Sequence, residues 1–207
     1  MAPLPTHACA RHPLGALTAD PASAFWRGLA PLPLRENVTG AAPLQATEVR
    51  VAWDAEEVRA LFHAHDTHPW ATITQRDGPL WEEEVVELFL DPVGDGECYF
   101  EIEVNPLNAV LDLVLRRNRS GYKKDFAWAC EGFRSVTARM DAGWAAELSI
   151  PFRALAADPP RAGAKWRANF LRIDRPAGAP RELSAWSPTH RATFHAPERF
   201  GALVFAP

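Results

Sequence analysis

Through most of the chain apolar and polar residues alternate with a period of two, the spacing of β-strands. The pattern is clearest in three runs: residues 85–90 (VVELFL), 99–104 (YFEIEV) and 109–115 (AVLDLVL). D-P-V-G-D-G joins the first to the second and N-P-L-N the second to the third. Pro presets φ, Gly supplies positive φ, and Asp and Asn bond their own backbone, so both linkers read as turns. Short turns between strands predict antiparallel neighbours in a meander. Alternation then sorts the faces. Val86, Leu88 and Leu90 are expected to share a core face with Phe100, Ile102 and Val104 and with Leu111, Leu113 and Leu115. The opposite face carries Glu87, Glu101, Glu103, Asn105 and Asp112 among Val85, Phe89, Tyr99, Val110 and Val114.

Further strands are predicted at residues 48–53, 71–75, 126–130, 133–140, 144–150, 165–174 and 199–205, and 184–188 holds Trp186. Residues 57–66 fit two templates, a helix capped by Asp54 or a strand. Residues 116–125 read as a mobile polar loop, and 151–157 as one or two helical turns. The sum is an all-β fold: a two-sheet antiparallel β-sandwich, jelly-roll-like, with one or two short helical turns. Residues 1–43 are rich in Pro and Ala and are expected to wrap the sandwich formed by 44–207. Within that segment, 24–29 (AFWRGL) reads as an aromatic plug with Phe25 and Trp26 buried, and 31–38 as an edge strand.

Composition narrows the classes. The chain has 207 residues, enough for one β-rich domain. Its 19 prolines argue against long helices. The net charge is −4 and no basic run exceeds Arg116-Arg117 or Lys123-Lys124, so nucleic acid is not an expected partner. No apolar run approaches the roughly 20 residues of a membrane helix, so no membrane partner is expected either. Three cysteines without tight spacing make neither a disulfide framework nor a zinc signature. The first residues lack a basic start followed by an apolar stretch, and a cytoplasmic location is the expectation.

The acidic and aromatic face suits a polyol. Aromatic rings pack on the apolar faces of a sugar, while carboxylates and amides serve its hydroxyls. Trp81, on a loop just before the first meander strand, is placed to stack. Asn169, at mid-strand, and Arg172, near the end of the run 165–174, extend the candidate set. Glu101 and Glu103 lie two residues apart, about 6–7 Å between Cα atoms, a spacing that also admits glycosidase chemistry. No G-x-S-x-G, phosphate-cradling glycine pattern or spaced Cys–His pair accompanies them, so binding rather than catalysis is expected. An interaction domain without a sugar ligand is the third alternative. The run His63-Ala-His65-Asp66-Thr67-His68 has zinc ligand types but no third ligand at fixed spacing, which favours histidines bonded to loop backbone. No cofactor is expected. Structural calcium is the alternative, with oxygens offered by Asp91, Asp95 and Glu97, although the EF-hand spacing is absent.

The string R-D-G-P-L-W-E-E-E-V-V-E-L-F-L-D-P-V-G-D-G, followed by Y-F-E-I-E-V-N-P-L-N-A-V-L-D-L, resembles the signature of family 9-like carbohydrate-binding domains, relatives of the DOMON sandwich. W-R-A-N-F-L-R-I-D-R, S-A-W-S-P-T-H and F-H-A-P-E-R-F-G-A-L-V-F resemble that family's closing strands. The resemblance runs from about residue 49 to residue 205. It implies that 57–66 is a strand. It also implies a site in which a sugar end lies between two tryptophans, with a Glu, an Arg and amides on its hydroxyls. Trp81 and Glu87 match that pattern, and Trp186 would be the second wall. The family's Arg on the central strands is missing, and Glu101 and Glu103 stand there instead. The implied partner is a carbohydrate, expected to be a neutral sugar or sugar end, bound at Trp81, Glu87, Glu101, Glu103, Asn105, Asn169, Arg172 and Trp186.

Overall fold

A computed structural model describes residues 3–156, 158–176 and 178–207. Among these the chain forms β1 (Thr6–Arg11), α1 (Ala24–Arg27), β2 (Leu32–Pro33), β3 (Arg35–Glu36), β4 (Thr47–Trp53), β5 (Glu57–His65), β6 (Val85–Asp91), β7 (Cys98–Val104), β8 (Val110–Asn118) and β9 (Gly121–Asp125). Then follow β10 (Arg134–Met140), β11 (Gly143–Pro151), α2 (Phe152–Leu155), β12 (Lys165–Asp174), β13 (Glu182–Ala185) and β14 (Gly201–Phe205). No helix among the described residues is long and apolar enough to cross a membrane.

The strands make the two sheets of a β-sandwich. One runs β10-β11-β5-β4, with β2 beside β4. The other runs β14-β12-β6-β7-β8-β9, with β13 on β12 and β3 on β13. β1 belongs to both. Its residues 6–9 pair with β14 and its residues 10–11 with β4, each time in parallel. These are the exceptions to the antiparallel pairing that the turns predict.

Between the sheets lies the main core, where Val51, Phe62, Trp144 and Leu148 of one sheet meet Leu88, Phe100, Ile102 and Phe170 of the other. Both sheets are covered on their outer faces as well. Trp26 and Ala19 of the N-terminal segment cover Ala52, Leu61 and Ala145. Leu80, Phe194 and Phe200 cover Phe89, Tyr99, Leu113 and Leu171. A sheet buried on both faces carries apolar residues at odd and even positions alike, and every residue of β6 is buried.

This double burial corrects the face assignment of β8. Ile102 stands opposite Asp112 and Glu103 opposite Leu111. Leu111, Leu113 and Leu115 therefore share the outer face with the glutamates. Asp112 points inward at the sandwich edge, where it accepts from Arg76 Nη2 (2.6 Å) and the Cys130 backbone N–H (3.0 Å).

Other expectations also shift. Residues 57–65 form a strand with neighbours on both sides, as the resemblance implies. Residues 71–75 are irregular, because the N–H groups of Thr72 and Ile73 donate to the Glu83 carboxylate (2.7 and 3.0 Å) and not to a neighbouring strand. Residues 126–130 form no strand. The segment read as a mobile loop supplies the end of β8 and all of β9, with Leu115 opposite Lys124. In the N-terminal segment Trp26 is buried and Phe25 half-buried, and the expected edge strand is split into β2 and β3. Residues 1 and 2 of that segment, and residue 157 of the expected helical turns, lie outside the described residues.

Candidate functional site

β6 and β7 pair with Glu87 directly opposite Glu103 and Phe89 opposite Glu101. Partners opposite each other in an antiparallel ladder point to the same side. All three carboxylates therefore project from the outer face of the second sheet. They line a cavity of about 170 Å³ together with Trp81, Lys124, Arg181 and His195. A space of that volume holds several waters and is on the scale of one sugar ring.

The floor is acidic and dry. Glu87, Glu101 and Glu103 are each 1–2% exposed. One oxygen from each lies within 4.8 Å of the other two. Glu101 Oε2 and both Glu103 oxygens have no hydrogen-bond partner among the described residues. Burial, then repulsion from Glu101, pushes the Glu87 carboxyl well above its ordinary range. Burial, then repulsion from Glu87 and Glu101, does the same to Glu103. Glu101 is raised by burial and held back by the Lys124 ammonium, which lies 3.8 Å from Glu101 Oε2.

The walls are aromatic. Trp81 sits on a 3-10 turn, Leu80–Glu82, and is half-buried. Its ring faces Lys124 Nζ at 5.9 Å and Phe126 at 6.5 Å between centroids. His195 stacks on Phe89 with the planes 9° apart, and its Nδ1 lies 3.0 Å from the Tyr99 hydroxyl. Burial lowers the His195 pKa to about 4, so the ring is neutral at pH 7. Lys124, Arg181 and His195 were not among the expected site residues. Lys124 falls in the run 116–125 that reads as a loop, Arg181 directly precedes β13, and His195 lies between β13 and β14, both far from the meander in sequence.

Four of the expected residues lie elsewhere. Asn105 is buried and closes the β7–β8 turn: its Nδ2 donates to Ile73 O (2.7 Å), and its Oδ1 accepts from Leu107 N and Ala109 N (3.1 and 2.9 Å). Asn169 is spent on the Ser187 backbone, donating to its carbonyl and accepting from its N–H, both at 2.9 Å. Trp186 is no stacking wall. It is 7% exposed, packs on Phe170 in the main core, and lies so near Gly201 that a Cβ there would fall 2.4 Å from its ring. Arg172 faces the sandwich interior, opposite Val86, and is fully buried. Its guanidinium donates to Asp66 Oδ2 (2.6 Å), Glu84 Oε1 (2.7 Å), Thr47 Oγ1 (3.1 Å) and His65 O (3.0 Å).

Among the described residues, Asp66 of the histidine run is grouped with Glu84 and Asp174 around Arg172, not with His63, His65 or His68, and Asp91, Asp95 and Glu97 are not grouped together. The His63 and His65 rings stand 4.5 Å apart, and the oxygens of Asp66 serve Arg172, Gln45 and the His68 N–H. Asp91 accepts from Gly94 N and Gly96 N, which makes it the capping group of its own turn. Glu97 pairs with Arg117 at 3.0 Å.

Comparison with known proteins agrees with this architecture. An "Extracellular protein" of Arthroderma benhamiae is 28% identical over 178 residues, covering 79% of this chain and 80% of that one. A solved structure from Bacteroides uniformis superposes with a TM-score of 0.77 at 18% identity, covering 97% of this chain and 98% of its own. A family 9 carbohydrate binding module of Caldicellulosiruptor kristjanssonii, solved with glucose, gives a TM-score of 0.73 at 14% identity over 97% of this chain and 95% of its own. Residues 20–206 match the family described as carbohydrate family 9 binding domain-like, and the chain belongs to that family.

Proposed function

We propose that the protein is a non-catalytic carbohydrate-binding domain and that its cavity holds one sugar residue, such as a chain end. The observation that carries this reading is the half-buried Trp81 ring beside three buried carboxylates in a space sized for one ring. The ring offers an apolar platform, the glutamates accept from hydroxyls, and Lys124 and Arg181 donate at the rim. The family assignment supports the reading, as do the glucose and cellotriose bound by the Caldicellulosiruptor module. All three acids come from one face of two adjacent strands. They do not flank a bond from two sides as a glycosidase pair does.

Stacking contributes about 1 kcal/mol beyond area burial, and each hydrogen bond roughly the same net. A few such contacts, less the cost of ordering the ligand, give affinities in the micromolar-to-millimolar range. Calorimetric titration with glucose, cellobiose and cellotriose tests the reading. Binding should appear in that range and vanish in Trp81→Ala, while circular dichroism and cooperative unfolding persist. A sugar that binds Trp81→Ala with unchanged affinity would place the site elsewhere.

A further inference from the structure

Resting on the reading that this cavity holds a sugar residue, we propose that it prefers a residue bearing a free, protonated amino group, an amino sugar, over the neutral sugar of the same shape. The argument begins with the donors that are missing. Glu101 Oε2 and both Glu103 oxygens are buried without a hydrogen-bond partner. A buried acceptor left unmatched is costly, and a charged one more so. Glu101 and Glu103 lean on each other and Lys124 Nζ stands off at 3.8 Å, so the acids offer more acceptor sites than the donors around them fill.

The geometry suits an ammonium. One oxygen from each of Glu87, Glu101 and Glu103 lies within 4.8 Å of the others. Three atoms within 4.8 Å of one another lie at most about 2.8 Å from a common centre, so a nitrogen on or just above that centre reaches all three at the length of an N⁺–H···O⁻ hydrogen bond. An alkyl ammonium carries three N–H donors directed away from its carbon. It can serve all three carboxylates from one position, whereas a hydroxyl has one hydrogen to give.

The charge balance points the same way. Three carboxylates face the cations Lys124 and Arg181, and His195 is neutral at pH 7. With all three acids ionised, one negative charge is left over. A single ammonium cancels it. A hydroxyl leaves it standing, and a divalent metal ion reverses its sign. Burial and mutual repulsion favour keeping a proton among the acids. The ammonium takes the place of that proton.

The test is calorimetric titration at neutral pH with glucosamine and a chitosan trimer, against N-acetylglucosamine, glucose and cellotriose. N-acetylation keeps the ring and removes the charge. The free amines should bind at least tenfold more tightly than their acetylated and neutral counterparts. Glu103→Gln, close in shape but without the charge, should lower that preference at least fivefold, with its melting temperature recorded to establish folding. Neutral sugars binding as tightly as the amines would overturn this inference and leave the carbohydrate reading intact. A preference that survives in Glu103→Gln would also overturn it. If no sugar of either kind binds, the carbohydrate reading fails and this inference with it. Calcium chloride is the remaining arm: calcium that binds and is abolished by Glu103→Gln, with no amine preference, would make the floor a metal site instead.

Discussion

Arg172→Ala should remove the central cation of the sandwich interior. The guanidinium is fully buried and its partners Asp66, Glu84 and Asp174 are 6%, 0% and 1% exposed. It ties the end of β12 to β4, to the end of β5 and to the residue before β6. Removing one partner of a buried ion pair costs about 3–5 kcal/mol, because the other charge is left uncompensated. Some compensation remains: Gln45 Nε2 still donates to Asp174 Oδ2 (2.9 Å) and Trp144 Nε1 to Glu84 Oε1 (3.0 Å). The lower half of the range is therefore expected near pH 7. At about 2–4 °C per kcal/mol for a chain of this size, the melting temperature should fall by roughly 6–16 °C.

The penalty should also depend on pH. In the native protein burial, then a hydrogen bond that the Glu84 carboxyl donates to Asp66, raises the Glu84 pKa to about 8, against an ordinary 4.5, with Arg172 opposing the rise. An acid raised on folding holds its proton more tightly in the native state. Its contribution is fully present below pH 4.5 and is lost as pH climbs toward 8. Without Arg172 the opposition disappears and the Glu84 carboxyl rises further, so in the variant the loss continues to higher pH. Urea unfolding followed by tryptophan fluorescence should show the deficit growing as pH rises through about 8, where native Glu84 ionises in the parent protein but keeps its proton in the variant. A deficit under about 1 kcal/mol near pH 7, or one that fails to grow between about pH 7 and about pH 9, would refute the account of Arg172 as the clamp of a buried acid cluster.

Trp186→Ala should cost stability, about 3–5 kcal/mol for a buried aromatic, while the sugar affinity of the folded fraction stays within threefold; titration of the folded variant checks this, and loss of binding without loss of stability would return Trp186 to the site. Oligosaccharides incubated with the protein should be recovered intact by chromatography, and release of reducing ends that disappears in Glu101→Gln would establish a hydrolase.

The sandwich was legible because turn chemistry and period-two alternation agree along the chain. The orientation of β8 was not. Val104 pairs with Val110, so five residues separate the paired ends of β7 and β8, and even-numbered residues stand opposite even-numbered ones. Grouping the faces by apolarity put Leu111, Leu113 and Leu115 with Ile102, since nothing local reveals that loops bury the outer face too. For the same reason Glu87, Glu101 and Glu103 could be placed on one face from parity within β6 and β7, whereas the fates of Asn105, Asn169, Arg172 and Trp186 could not. Each is decided by a partner remote in the fold: the carbonyl of Ile73, the backbone of Ser187, the acids around Arg172, and the close approach of Gly201. His195 reaches Tyr99 across 96 residues of sequence, beyond any periodicity argument.

The double allegiance of β1 bears on how the protein should be cut. The family match starts at residue 20, and a version trimmed there would look complete by that standard. It would lack residues 6–11, which close the gap between the two sheets. The backbone of residues 202–205 in β14 and of residues 52–53 in β4 would then lose its partners on one side, while β12 and β5 remain on the other. Bare strand edges recruit strands from other chains. Trimming to the family boundary would thus trade a sealed sandwich for one open to strand exchange, with the cavity beside Trp81, on the far side of β12, left untouched in sequence.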